Sequence, residues 1–438
     1  MVTAFCGGST RTGPVGSSGC GVGAVLQCTV HSASPVFPVY QLVGELILIC
    51  RRTINTGWNG GRVRIVIVAE TFLPTVNGVT HSIQRMLDHF VDRGDEVLVI
   101  APSSADPDDS GLDPSIRVVR LTSVPLAGYS SVRVAVGGVS RVKRILAAFA
   151  PDIVHLASPF ELGWRALRAA AGLGIPVVAV YQTDIPGYAA RYGLPLLESW
   201  AWQRVEHIHS GATRTLAPST SAVRQLEVRG IPNVQLWRRG VDTSRFHPGK
   251  RSHSFRASIA PRGVKLLGYV GRLAAEKQVD DLRVLQDIEN SHLVIIGDGP
   301  LRPALESALP GAHFTGFLGG EELATAVASL DLFIHPGELE TFCQTIQEAM
   351  ASGVPVVATG RGGPLDLVDS SRTGWLYHPG NLAQLRSQVV DLVGDDAKRA
   401  AFSQAACASV QGRTWPVLCE ALIQHYEETI SEHALLRL

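Results

Sequence analysis

From Arg62 onward the chain repeats one pattern: a short apolar run, a turn-rich loop, then an amphipathic stretch at helical spacing. That alternation describes a parallel sheet wrapped by helices, because parallel strands are buried on both faces and need a crossover between them. The first repeat is the plainest. RVRIVIVAE (62–70) reads as a buried strand and TFLPTVNG as a loop, after which Val79, Ile83, Met86, Leu87, Phe90 and Val91 share one helical face until Gly94 ends the run. Further strands are expected at EVLVIA (96–101), IRVVRL (116–121), DIVHLA (152–157), IPVVAVYQ (175–182) and TRTLAPS (213–219). Around VQLWRRGVDTSRFHPGKRS (234–252) the pattern gives way to polar, turn-forming residues. A second series then begins at KLLGYVGRL (265–273). It continues through SHLVIIGDG (291–299), AHFTGFL (312–318), LDLFIHPG (330–337), VPVVAT (354–359) and GWLYHP (374–379).

A chain of 438 residues is too long for one ordinary core, so the two series read as two α/β domains, 62–235 and 236–414. Ligands of such sheets gather at the carboxyl ends of the strands, which places the expected site in the cleft between the domains. The first 61 residues differ: Gly, Ser, Thr and Cys alternate with no period that could bury a face. They read as a low-complexity extension ahead of the fold. Within them PVFPVYQLVGELILIC (35–50) is apolar, but it carries two prolines and Glu45 and is shorter than a spanning helix.

Thirty-nine basic residues balance 39 acidic ones, so no global field draws the chain to nucleic acid, and any anion must be held locally. The seven cysteines show neither CxxC nor metal-ligand spacing, and their odd count fits free thiols in a reducing compartment. The reading is therefore cytosolic. Only five lysines occur (Lys143, Lys250, Lys265, Lys277 and Lys398), which singles out each position.

One of them stands in VGRLAAEKQVDDL (270–282), where a strand ends at Gly271 and Arg272 and Lys277 follow in the loop. An arginine fork with a mobile lysine charge suits a diphosphate; a solvated basic loop is the other reading. In HPGELETFCQTIQEAMASGVP (335–355), Glu340 falls in a loop and TFCQTIQEAMAS reads as a helix stopped by Gly353. The helix start offers free N–H groups to phosphate, and Glu340 and Glu348 lie at a spacing that could bracket a nucleotide sugar. The IIGDGP turn (295–300) lacks the third glycine of a dinucleotide fingerprint and reads as a tight turn beside the ligand. GRGGP (360–364) could let backbone approach the ligand, though a glycine-rich turn needs no such reason.

EX7E from Glu340 to Glu348, with GRL and EK at 271–277, resembles the signature of the retaining glycosyltransferases of family 4, over 62 to about 430. The resemblance implies the GT-B arrangement: two Rossmann-like domains facing across a cleft, donor held by the C-terminal one, and a last helix (TWPVLCEALIQHYEETI, 414–430) crossing back. More narrowly, AETFLPTVNGVTHSIQRML (69–87), WRRGVDTSRF (237–246) and ETFCQTIQEAMASGVPVVA (340–358) are similar to actinobacterial GDP-mannose-dependent alpha-mannosyltransferases that act on glycolipids. The WxRGVD piece is also similar to lipid glycosyltransferases that use UDP-sugars. By this resemblance Arg272 and Lys277 neutralise the leaving diphosphate, Glu340 contacts the donor sugar and Glu348 the ribose. Gly78 would admit the donor phosphates or the acceptor, Gly271 would belong to the donor site, and the backbone N–H groups of Phe342 and Cys343 would face the sugar. Arg272, Lys277 and Glu340 would carry catalysis, with no cofactor and no metal.

The chain departs from the family at one point. Many relatives carry a histidine in the stretch YQTDIPGY (181–188) where Gln182 stands, and a glutamine cannot carry a proton. Asp184 beside it reads as either a sugar or acceptor binder or the cap of its own turn. With no second carboxylate for a nucleophile, front-face transfer through an oxocarbenium-like ion pair is expected. The implied partners are a nucleotide-sugar donor and a lipid-linked acceptor, with peripheral contact at the inner face of the plasma membrane. VRVAVGGVSRVKRILAAF (132–149) reads as one helix with a basic side that would suit an anionic lipid surface, or as an ordinary helix covering the sheet. DPD (106–108) and HIH (207–209) have metal-like spacing without companions, and Cys343 has no evident histidine partner that would make it a nucleophile.

Overall fold

The computed structural model describes residues 61–437 apart from 76, 105–110 and 127–128. The expected N-terminal extension up to residue 60 and the DPD triplet lie outside the described residues. Nine strands belong to the first half: β1 (Arg64–Ala69), β2 (Glu96–Pro102), β3 (Arg117–Leu121), β4 (Ser123–Leu126), β5 (Tyr129–Ala135), β6 (Ile153–Ala157), β7 (Val177–Val180), β8 (Arg214–Ala217) and β9 (Val234–Leu236). Six follow: β10 (Lys265–Val270), β11 (Ser291–Ile296), β12 (His313–Gly316), β13 (Leu332–His335), β14 (Val356–Thr359) and β15 (Gly374–Tyr377).

Thirteen of them form a seven-stranded sheet ordered β3-β2-β1-β6-β7-β8-β9 and a six-stranded sheet ordered β12-β11-β10-β13-β14-β15, each parallel throughout, while β4 and β5 pair separately. Both sheets are wound alike. The chain builds outward on one side of its first strand, then returns to the other side, at β6 in one sheet and β13 in the other. The gap left between those diverging connections is a ligand crevice at the carboxyl edge, and the GRL loop and the HPGELE loop both open there.

The two halves are joined by crossovers that run side by side. Val241 bridges Thr414, its N–H donating to the Arg413 carbonyl at 2.8 Å. Gly240 touches Trp415 so closely that a Cβ there would sit 2.5 Å from its Cα, which excludes any larger residue. The last helix, Trp415–Leu435, returns to the first sheet as expected and runs five residues further than the sequence suggested. Arg214, buried at the end of the first half, holds it with bonds of 2.6 Å to Glu428 and 2.5 Å to Glu432. Tyr426 adds a buried 2.7 Å bond to His155 Nδ1.

One expected element is replaced. The stretch 132–149 is not a single helix: β4 and β5 pair antiparallel, and the helix begins only at Val139. Gly137 and Gly138 break the helical run, and the alternation in front of them suits a strand. The apolar side of the Val139–Phe149 helix (Val142, Leu146 and Phe149) is consumed by the sheet, so that helix has no apolar face to insert into lipid.

The Arg214 clamp yields a test. Arg214→Ala is expected to lower unfolding free energy by about 2–3 kcal/mol, because it takes the cation away from two carboxylates that keep only part of their surface in water. Denaturant titration checks this, and a loss below about 0.5 kcal/mol would show that the last helix does not depend on this ion pair.

Candidate active site

The site grows from the β10–β13 seam. Gly271 follows β10 and is packed against the GDG turn: a Cβ on Gly297 would lie 2.0 Å from the Gly271 carbonyl, and one on Gly299 would lie 2.4 Å from that of Leu273. These glycines serve contact between two loops. GRGGP is similar, since a Cβ on Gly363 would meet the Phe342 backbone at 2.2 Å and its N–H donates to the Glu340 carbonyl at 2.8 Å. Its backbone braces the Glu340 loop.

So braced, Lys277 Nζ lies 2.5 Å from Glu340 Oε1, although 63 residues separate them. His335, at the end of β13, reaches the same oxygen with Nε2 at 3.1 Å. Burial raises the pKa of Glu340, but the two cations outweigh it and hold the carboxyl at about 2. For Lys277 burial acts downward and Glu340 reverses it, so the ammonium is held firmly charged. His335 is likewise lowered by burial yet raised on balance to about 9 by Cys343 and Glu340 beside it. His335, Glu340 and Cys343 offer ligand atoms within 4.8 Å of one another, a set suited to a thiophilic cation, but the Lys277 ammonium already stands on the carboxylate.

The helix carrying Glu348 spans Gln344–Ala351, shorter than the expected 341–352. Cys343 is left-handed (φ 74°), a costly conformation for a side chain with Cβ, and it stops the helix from extending back through Phe342 and Thr341. Both lie in a tight turn at the cleft, Thr341 Oγ1 donating to the Gln182 carbonyl at 2.8 Å. Glu348 is 8 % exposed, and burial pushes its pKa up to about 8.

Arg239, which the sequence reading passed over, occupies the middle. Its Nη2 donates to Gln182 Oε1, its Nη1 would meet a Cβ on Gly78 at 3.2 Å, and its buried Nε has no partner. Burial lowers its pKa to about 10, with Glu340 and Glu348 pulling the other way. Gly78 opens the first helix, Gly78–Arg93, whose first N–H groups are capped by Asn77 at 2.9 Å. The only early sign of Arg239 was its place in WRRGVD. Tyr188 was also missed: it is contributed by the first half and lies among Lys277, Glu340, Glu276 and Arg272, its pKa raised by burial.

Arg272 is less enclosed. Its side chain is 54 % exposed and bonded to the buried Glu276, which also accepts 3.0 Å from Tyr192 OH across the cleft. Asp184 caps its own helix, accepting 2.9 Å from the Gly187 N–H and 3.0 Å from Tyr181 OH, and it also lines a cavity of about 610 Å³ between the halves. The HIH pair separates: His209 is buried against Thr215, its pKa lowered by burial to about 3, while His207 faces solvent.

Two Rossmann-like sheets with acids and cations converging at their carboxyl edges define a GT-B glycosyltransferase, and sequence comparison agrees. Glycosyltransferase Family 4 matches residues 76–245 and Glycosyl transferases group 1 matches 264–395. A GDP-mannose-dependent alpha-mannosyltransferase of Mycolicibacterium smegmatis is 48 % identical over 379 residues, covering 85 % of this chain and 99 % of that one. A sulfoquinovosyl transferase of Arabidopsis thaliana is 32 % identical over 78 % of this chain and 68 % of its own. Sucrose-phosphate synthase from Thermosynechococcus elongatus superposes with a TM-score of 0.71 at 18 % identity, over 84 % of this chain and all of that one. The chain belongs to glycosyltransferase family 4.

The buried acid gives a pH signature. Glu348 holds its proton in the folded protein up to about pH 8, whereas the unfolded chain releases it near the ordinary value of 4.5. Its contribution to stability is therefore complete below that lower pH and fades as pH rises toward 8. Glu348→Gln lacks this titration, so its stability relative to the parent should climb across that window by on the order of 1 kcal/mol per pH unit, then level off. Parallel denaturant titrations from acid to alkaline pH measure it; a difference independent of pH would mean that Glu348 is already ionised.

Proposed function

We propose that this chain transfers mannose from GDP-mannose to a glycolipid acceptor, with retention of the anomeric configuration. The observation that carries the reading is the convergence of Lys277, Glu340, Arg239 and Glu348 at the cleft, in a chain 48 % identical over 85 % of its length to a GDP-mannose-dependent alpha-mannosyltransferase. Lys277, Arg272 and Arg239 neutralise the diphosphate. Arg239 supplies the buried donors, and Gly78 leaves room for the phosphates beside it. Glu340, kept ionised, accepts hydroxyls of the transferred sugar, while Glu348 accepts those of the ribose. The N–H groups of Phe342 and Cys343 face the sugar.

The bond from the anomeric carbon to the diphosphate breaks while the acceptor oxygen attacks from the same face, and the acceptor's proton passes to the departing phosphate oxygen. Gln182 takes no proton; it orients Arg239 and presents its carbonyl to the Glu340 loop. Catalysis then consists of positioning and of stabilising the departing charge. The cavity by Asp184 is the place for the acceptor headgroup. No helix among the described residues is long and apolar enough to cross a membrane. A peripheral location on the cytoplasmic face suits a lipid acceptor and the free thiols of Cys343, Cys407 and Cys419.

Incubation with labelled GDP-mannose or UDP-glucose and a bacterial lipid extract tests this. Mannosylated lipid is expected from GDP-mannose; product from UDP-glucose alone would refute the donor, and donor binding without turnover would refute the enzyme. In the same assay Lys277→Ala should lower kcat about 10²–10³-fold, and unchanged turnover would contradict its place on the diphosphate.

A further inference from the structure

Three helices cover one face of the seven-stranded sheet: Val139–Phe149, Glu161–Ala171 and Pro195–Gly211. Their inner sides share a single core through Val142, Leu146, Leu162, Ala166 and Ile208. The outer side of this layer is unusual. Leu194, Leu196, Leu197 and Trp200 are all exposed within seven residues, Leu196 by 88 %. Single exposed leucines need no explanation, but a cluster of this size does.

The neighbourhood says what would cover it. Trp200 stands edge-on to Phe160 at 5.2 Å, with the Arg204 guanidinium 5.7 Å above its ring and 4.7 Å above that of Trp164. Arg168 also lies over the Trp164 ring, at 5.3 Å. Of the three acids on these helices, Glu161 pairs with Arg165 and Arg204 and Glu206 with Arg229, while Glu198 lines the cavity. Arg141, Lys143, Arg144 and Arg168 point outward. Apolar tips, tryptophans and unopposed cations together match the boundary of an anionic bilayer, where rings and leucines enter beside the acyl chains and cations meet the headgroups. The same hairpin bounds the cavity on its other side, through Arg191, Glu198 and Trp202.

We infer that this helical layer rests on an anionic lipid surface, with Leu194, Leu196, Leu197 and Trp200 at the headgroup–acyl boundary. The inference rests on the glycolipid reading for its purpose: an acceptor could offer its headgroup to the cavity without leaving the leaflet. Contact with lipid is nevertheless measurable without donor or acceptor. The basic stretch read from the sequence takes part only through its cations, since its apolar face is buried.

The full chain is floated with vesicles of phosphatidylcholine, or of phosphatidylcholine mixed with phosphatidylglycerol, at low salt. The parent protein should float with the mixed vesicles and weakly with the neutral ones. Replacing Leu196, Leu197 and Trp200 together by serine should lower partition at least about tenfold. Arg141→Gln, Lys143→Gln and Arg144→Gln combined should lower it about fivefold per charge removed, on mixed vesicles alone. GDP affinity in solution should be unchanged in both variants, since neither set touches the cavity or the charge cluster; this certifies their folding. A parent protein that floats with neither vesicle, or variants that float as it does, would overturn the inference. So would a dimer of the parent that the serine variant dissociates, for the apolar patch would then belong to a second copy. A failed donor screen leaves the flotation result standing, and the two readings can fall separately.

Discussion

A buried cation and carboxylate, Lys277 and Glu340, meet where the second sheet reverses its winding, and the rest of the cleft is arranged around them. Two charges withdrawn from water cost several kcal/mol each, and that cost is offset only with close geometry and further partners. The partners are visible: His335 on the same oxygen, a glycine-rich loop bracing the backbone, and Arg239, whose charge both glutamates support against burial. The cluster is not balanced in itself. Arg239 keeps a buried donor without a partner, and Glu348 gains by keeping its proton. Such a site is completed by a ligand that brings negative charge to the cations and hydroxyls to the acids, which is the chemistry of a sugar nucleotide.

Neither half of the chain builds this site alone. The second sheet supplies Lys277, Glu340 and Glu348, whereas Gln182, Tyr188 and Gly78 come from the first and Arg239 from the segment between them. The paired crossovers at Val241 and Thr414 keep the halves in register, and Gln344 and Gln347 fasten the helix of Glu348 to the carbonyls of Gly240 and Arg239, each at 3.0 Å. A charge in the joining segment is thus fixed by the helix it serves.

Both sheets could be read in the sequence because buried parallel strands leave continuous apolar runs, and the periodicity of the intervening helices is strong. Arg272, Lys277, Glu340 and Glu348 could be singled out as candidates because they stand in or just after loops at strand ends and their spacing matches a family pattern. Arg239 and Tyr188 were not. Their importance comes from which atoms face the cleft after the halves meet, and nothing local to WRRGVD or YQTDIPGY records that. The helix start at Gln344 was missed since only the backbone reveals that Cys343, lacking the freedom of glycine, is left-handed. At 132–149 the strand is hard to tell from the helix that follows because valines suit both patterns, and only Gly137 and Gly138 mark the break.

A crystal structure with GDP bound decides where the diphosphate lies: its phosphate oxygens are expected within hydrogen-bond distance of Lys277 and Arg239, with the ribose hydroxyls on Glu348. Density for the nucleotide on the far side of the cleft, with Lys277 still closed on Glu340 and the Arg239 Nε still unpaired, would contradict it.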